Sequence, residues 1–142
     1  MDLLFFVLLS SFIHGTYGFA AGAGSGSCES LVPKHSDIES QPPAASPWTV
    51  TSSATSYTSG QTIDVTIQAS GSQQYIGILL QARPAGSNVP VGTWVTNVAD
   101  TKLKQCTNAD DSVTHSSDSL KPVTTTFTWI PPSSNVGSIA FQ

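Results

Sequence analysis

Beyond the amino-terminal segment 1–18, two histidines, His35 and His115, could bind a metal ion through imidazole nitrogen. They follow the two cysteines of the chain by seven and nine positions, so a bond between those cysteines would bring the histidines near each other. Carboxylate ligands would then come from Asp37, Asp110 and Asp111. The spacing is not the short, regular one that metal sites use, and a local hydrogen bond in a loop explains each histidine more simply. We therefore predict no metal site and no cofactor, and keep His35 and His115 as the metal candidates.

The acidic stretch Asn108–Asp111 is a second candidate for ion binding. We interpret it as a solvated loop, and a calcium-type site is the alternative.

The two cysteines, Cys28 and Cys106, predict a disulfide, because an even count in an exported chain leaves one intramolecular connectivity. Their separation of 78 positions closes a long loop, worth roughly 4–4.5 kcal/mol in the chain-entropy model. A zinc site would need more ligands at short spacing. A catalytic thiol would not normally stay reduced outside the cell.

Catalysis by a Ser-His-Asp triad would have to use His115, Asp118 and one of many serines. Such hydrolases place the serine in a Gly-x-Ser-x-Gly turn between a strand and a helix. The nearest match, Gly24-Ser25-Gly26, lies in a Gly/Ala/Ser run with no such context. A nucleotide-binding fingerprint is also absent from the sequence. We predict that the chain is not an enzyme and has no catalytic residues.

The apolar run over residues 3–13 is short for a membrane span and is followed by small residues. This pattern predicts a signal peptide over 1–18, with cleavage after Gly18 or after Ala20, and hence a secreted protein. Asp2 is an exception, since the segment before the run carries no Lys or Arg. Residues 19–27 are rich in Gly, Ala and Ser, and we expect a flexible leader that does not pack. No later apolar run reaches membrane length.

The formal net charge of -4 excludes some partners. No basic stripe is present, which argues against nucleic acid and against an anionic membrane surface.

Short alternating segments, separated by turn residues every 8–12 positions, predict an antiparallel two-sheet sandwich with no helix. The expected strands cover 48–52, 62–68, 75–83, 92–96, 124–130 and 137–141. The segment 75–83 is almost continuously apolar, as expected of a strand covered on both faces. The chain stops at Gln142 within a strand, so we expect a domain over 28–142 that is incomplete at its carboxyl end.

The three tryptophans divide by pattern. Trp129 alternates with threonines and Trp94 lies in a short strand, so both are expected in the core. Trp48 follows a proline at a strand start; we also expect it in the core, with a rim position in a binding patch as the alternative.

Seven segments of the chain form a recognisable set: Cys28–His35, Tyr57–Ile67, Tyr75–Arg83, Val91–Trp94, Leu103–Cys106, Val113–His115 and Phe127–Pro132. Taken in this order, they resemble the reeler (reelin-type) domain family. The resemblance implies an all-β, immunoglobulin-like antiparallel sandwich. It differs from the family at the carboxyl end, where the rest of the final strand is absent.

Reeler domains are found in short secreted insect defence proteins, in ferric-chelate reductase-like membrane proteins and in matrix proteins such as reelin and spondin. In the reductase-like proteins the domain precedes a haem-binding DOMON domain and a membrane core. The resemblance therefore implies a secreted, non-catalytic module for extracellular recognition in innate defence. The alternative is an ectodomain fragment of a reductase-like protein. An extracellular protein, a glycan or a microbial surface component is the expected partner, and the binding residues are unknown.

Overall fold

The computed structural model describes residues 19–33, 35, 40–42, 44 and 46–142. The predicted signal peptide over 1–18 and the candidate ligand Asp37 lie outside these residues. Within the described part, no helix is long and apolar enough to cross a membrane.

Two four-stranded antiparallel sheets form a β-sandwich, as the sequence predicts. The first has the order β1-β2-β7-β4 and the second the order β5-β6-β3-β8. The strands are β1 Trp48–Ser52, β2 Ile63–Ala69, β3 Leu79–Pro84, β4 Thr93–Val95, β5 Thr101–Lys104, β6 Ser112–His115, β7 Thr124–Ile130 and β8 Ile139–Phe141. A 3-10 turn over Ser25–Ser27 precedes them.

The core lies between the sheets and follows the period-2 pattern of β2 and β7. Val65 pairs with Phe127 and Ile63 with Trp129, so inward side chains from neighbouring strands meet directly. Trp94 and Trp129 are 2% and 0% exposed, which confirms their predicted place in the core. Phe141 of β8 packs edge-on against both rings, at centroid distances of 5.9 and 5.3 Å. The two sheets are therefore joined by an aromatic cluster.

Trp48 is half-buried and packs against the core rather than standing alone at the rim. Its ring lies edge-on to Tyr75 at 5.2 Å.

The strand predicted over 75–83 begins later, at Leu79. Tyr75 instead forms an isolated bridge with Lys121, and Gly77 lies beside the ring of His115. Apolar residues before Leu79 therefore do not extend the ladder, because the chain there bends around His115.

Strands β5 and β6 are not predicted by the sequence pattern. Leu103 and Val113 are their inward apolar residues, and they pair with each other. One inward apolar residue per strand is too little to give a detectable alternation.

The expectation that residues 19–27 do not pack is wrong. Residues 19–33, here called the N-terminal strap, run over the second sheet, and Ser27 is buried. The carbonyl of Phe19 lies 2.7 Å from His115 Nε2, and the N–H of Ala23 donates to Thr114 Oγ1 at 2.9 Å. These contacts use backbone groups, which explains why a Gly/Ala/Ser composition can still pack.

Candidate functional site

The outward face of β3 and β6 carries polar side chains that are nevertheless buried. Leu80 and Val113 point into the core, so their alternate neighbours point away from it. These outward residues are nearly inaccessible: Gln81 0%, Arg83 3%, Ser112 0% and Thr114 0% exposed. The N-terminal strap contacts two of them directly: Arg83 donates to carbonyls of the strap, and Thr114 accepts the N–H of Ala23.

A chain of hydrogen bonds joins the buried polar groups. Arg83 Nε donates to Gln81 Oε1 at 2.7 Å, and Gln81 Nε2 donates to Ser112 Oγ at 3.0 Å. The hydroxyl of Ser112 donates in turn to Asp111 Oδ1 at 2.9 Å. Such networks fix side-chain positions only when each member has its partner, and here each one does.

Arg83 connects this network to the strap. Its Nη1 donates to the carbonyl of Glu29 at 3.0 Å and its Nη2 to the carbonyl of Cys28 at 2.6 Å. Burial lowers the pKa of Arg83, and the nearby charge of Glu29 partly opposes that shift. The guanidinium stays charged at physiological pH, because arginine does not lose its proton there. The buried cation is therefore held mainly by backbone carbonyl groups of the strap.

Asp111 belongs to the stretch Asn108–Asp111, and the prediction of a solvated loop is wrong for this residue. Its carboxylate is buried and accepts backbone N–H bonds from Cys106 at 2.9 Å, Thr107 at 2.7 Å and Asn108 at 2.6 Å. With Ser112 as a fourth donor, the carboxylate oxygens are fully engaged in shaping the loop. Neighbouring Asp110 is exposed.

His115 is also engaged with the protein backbone. A carbonyl only accepts hydrogen bonds, so the contact with Phe19 assigns the proton to Nε2. Nδ1 then accepts the N–H of Ile78 at 3.2 Å. Both nitrogens of this tautomer are thus used, which leaves no lone pair for a metal ion.

The other candidate residues are dispersed. His35 and Asp118 are exposed, and within the described residues no serine hydroxyl is hydrogen-bonded to His115. Over the same part of the chain, no three His, Cys, Asp or Glu side chains are grouped closely enough to hold a metal ion.

Cys28 and Cys106 form the predicted disulfide, with their Cα atoms 5.5 Å apart. The bond joins the strap to the loop that Asp111 shapes.

A shallow cleft of about 610 Å³ opens beside the strap. The strap, the end of β3, the loop before Pro90 and the end of the chain meet there. The lining residues are Gly26, Glu29, Ser30, Val32, Arg83, Asn88 and Gln142. Hydroxyl, amide and charged groups around one apolar side chain could bind a polar ligand.

A family model described as Reeler domain matches residues 26–142. The chain belongs to the reeler family. Relatives agree: "Putative defense protein 3" of Antheraea mylitta is 32% identical over 99% of this chain and 84% of its own length. "Defense protein l(2)34Fc" of Drosophila melanogaster is 30% identical over 96% and 83%.

A third relative is "Putative ferric-chelate reductase 1" of Danio rerio, 32% identical over 98% of this chain. The reeler chain spans about a quarter of that protein, 24% of its length.

Solved structures confirm the fold. The human F-spondin reeler domain superposes with a TM-score of 0.57 at 18% identity, over 68% of this chain and 76% of that one. A structure of the Reelin-N domain of F-spondin gives 0.58 at 17% identity, over 79% and 77%.

The buried network around Arg83 was missed by sequence reasoning. The available indication was the pair Gln81 and Arg83, two polar residues at alternate positions of an otherwise apolar strand. That pattern marks a strand whose second face is covered by polar contacts.

Proposed function

We propose that this reeler chain is a secreted, non-catalytic module that binds a component of microbial surfaces in innate defence. The observation that carries the proposal is that His115 and Asp111 have structural roles. Both side chains could serve as acid, base or ligand, and both instead hold backbone groups in place. A site built in this way presents a rigid surface rather than reactive groups.

Similarity to insect proteins named for defence supports the biological setting, since the matches extend over most of both chains. The apolar run at 3–13 and the disulfide support secretion, because disulfides form in oxidising compartments. No cofactor is proposed for this function.

The cleft beside the strap is the proposed contact surface. Asn88 and Ser30 offer neutral hydrogen-bonding groups, Val32 is exposed, and the buried charge of Arg83 lies at the cleft wall. Glycans and other hydroxyl-rich surface polymers fit such a mixture of polar donors and one apolar contact.

The test uses the full chain expressed through a secretory pathway, with its binding measured on washed Gram-positive, Gram-negative and fungal cells. Asn88→Trp fills the cleft and should weaken binding about tenfold or more. Asn97→Trp adds the same ring at an exposed loop position that does not line the cleft, and should leave binding unchanged. Absence of binding to every cell type would overturn the proposal. If both variants weaken binding equally, the contact surface lies outside the cleft.

A second candidate is the amino-terminal ectodomain of a ferric-chelate reductase-like membrane protein. The zebrafish relative favours it, because the match covers nearly the whole of this chain. The full transcript discriminates between the two: a downstream DOMON domain and membrane region support the ectodomain, and a nearby stop codon supports the free module.

A further inference from the structure

We propose that the N-terminal strap is a redox-controlled cover, which stays on the second sheet while the Cys28–Cys106 disulfide is intact and is released when that bond is reduced. This inference concerns a conformational change and does not depend on what the module binds.

The strap is attached mainly through polar contacts. Phe19 and Ala23 hold its first part to β6, and Arg83 holds the carbonyl groups of Cys28 and Glu29. The apolar side chains contribute little: Phe19 is 54% and Val32 42% exposed, and the partly buried Leu31 is not among the residues that pack against the core. The hydrophobic effect therefore gives this segment little of the stabilisation that holds the two sheets together.

A few hydrogen bonds contribute little free energy compared with the conformational entropy that a segment of this length loses when it docks. Fixing the backbone of one residue costs about as much free energy as one hydrogen bond returns in water. The strap has fifteen residues, 19 to 33 inclusive, and far fewer bonds to the sheet. The disulfide lowers this entropic cost because it keeps the strap close to the sheet even when its other contacts open.

Reduction is chemically simple. A dithiol reductant transfers two electrons and two protons, the sulfur–sulfur bond breaks, and Cys28 and Cys106 become thiols while the reductant becomes a disulfide. Both cysteines are half-buried rather than fully enclosed, so a reductant can approach them.

The sandwich itself should stay folded after release. All eight strands and the whole core cluster with its partly buried neighbours fall within residues 48–141, outside the strap. Opening should therefore be local, as in other segments with few apolar contacts.

Release would change the surface in two ways. Arg83 would lose two carbonyl acceptors, and Thr114 would lose the N–H of Ala23, so the outward face at these two residues would become accessible. The cleft would also lose one wall, since four of its seven lining residues belong to the strap. A thiol-dependent switch would thus exchange the cleft for an open sheet face that carries Arg83.

Amide hydrogen exchange of the full chain, with and without a thiol-free phosphine reductant, tests the switch. The strap amides of Ala23 and Leu31 should exchange about tenfold faster or more after reduction, while amides in β2 and β7 keep their protection. The double variant Cys28→Ser/Cys106→Ser should behave like the reduced protein without any reductant. Unchanged protection of the strap would overturn the proposal, and so would loss of protection in β2 and β7 together with the strap.

Gly22→Ala tests the docking of the strap while the disulfide stays intact. A Cβ at this position would lie 3.0 Å from the carbonyl oxygen of His115, at a backbone φ of +121°. In the oxidised protein, Ala23 should lose protection while the part near Cys28 stays docked. Gly60→Ala is the control, because an added Cβ at its φ of +80° is also strained while no atom lies within 4 Å of it. An equal effect of the two variants on Ala23 would exclude the strap contact as the cause.

Discussion

Asp111 fixes the backbone of Cys106: its carboxylate oxygen Oδ1 accepts the Cys106 N–H at 2.9 Å. The same residue reaches the core, since its backbone carbonyl accepts the indole N–H of Trp94 at 3.2 Å. The disulfide loop and the aromatic core are therefore joined through one acidic residue, which explains why a carboxylate is buried here.

Asp111→Asn should destabilise the protein by about 1–3 kcal/mol, because the amide nitrogen cannot accept the N–H bonds of Thr107 and Asn108. Urea unfolding of the oxidised chain measures the change. Asp110→Asn is the matched control, because Asp110 is exposed and its φ of 57° suits asparagine. The stability of this variant should stay within about 0.5 kcal/mol of the parent. Equal stabilities of the two variants would contradict the structural role of Asp111.

Gly92→Ala should be among the most damaging single-methyl changes. The added Cβ would lie 2.5 Å from the carbonyl oxygen of Ile130 and from Nε1 of Trp129, at a φ of +71°. Left-handed strain and overpacking together predict a loss of roughly 2–5 kcal/mol. Gly60→Ala has the strain without the clash and should lose about 1–2 kcal/mol. Thermal unfolding of both variants checks the difference, and similar melting temperatures would refute the clash.

The parts of the fold that the sequence predicted best are those where burial follows one clear period. In β2 and β7, apolar residues alternate with polar ones because each strand has one core face and one solvated face. The two cysteines likewise predicted their bond, since one pairing was available. Both features can be recognised in one sequence, because the alternation is a local pattern and two cysteines allow one intramolecular pairing.

The parts that were missed depend on distant backbone groups. The strap docks through the carbonyls of Phe19, Cys28 and Glu29. Every residue type has a backbone carbonyl, so the amino-acid composition does not indicate these contacts. The sequence pattern does not show the burial of Asp111 either, because the donors to its carboxylate are also backbone groups. Buried polar contacts of this kind become visible only once the chain is folded.

Lys121→Met should destabilise the protein by about 1–3 kcal/mol. The ammonium of this fully buried lysine donates to the carbonyls of Ser117 and Ser119, both at 2.8 Å, and methionine would leave them without these bonds. Lys102→Met tests the same substitution at an exposed position, where the change should stay within about 0.5 kcal/mol. Urea unfolding measures both. If Lys121→Met is as stable as the parent, water replaces the hydrogen bonds of the ammonium without a loss of stability.

Tyr75 should make the stability of the protein fall in alkali. Burial raises the pKa of its phenol above the ordinary 10.0, and the hydrogen bond with Thr125 only partly offsets that shift. A raised folded-state pKa means that the folded chain holds this proton more tightly than the unfolded one. The contribution is therefore complete below about pH 10 and is lost as the pH rises from there through the folded-state pKa.

Tyr75→Phe removes the titrating group and provides the comparison. Below pH 10 the variant should be less stable by about 0.5–1.5 kcal/mol, since it loses the bond to Thr125. Above pH 10 the gap should narrow, because only the parent loses stability through this phenol, while all other titrating groups are common to both proteins. Urea unfolding of the two proteins from about pH 8 to about pH 11 measures the gap. A gap that stays constant across that range would show that the phenol has the same pKa in the folded and unfolded chains.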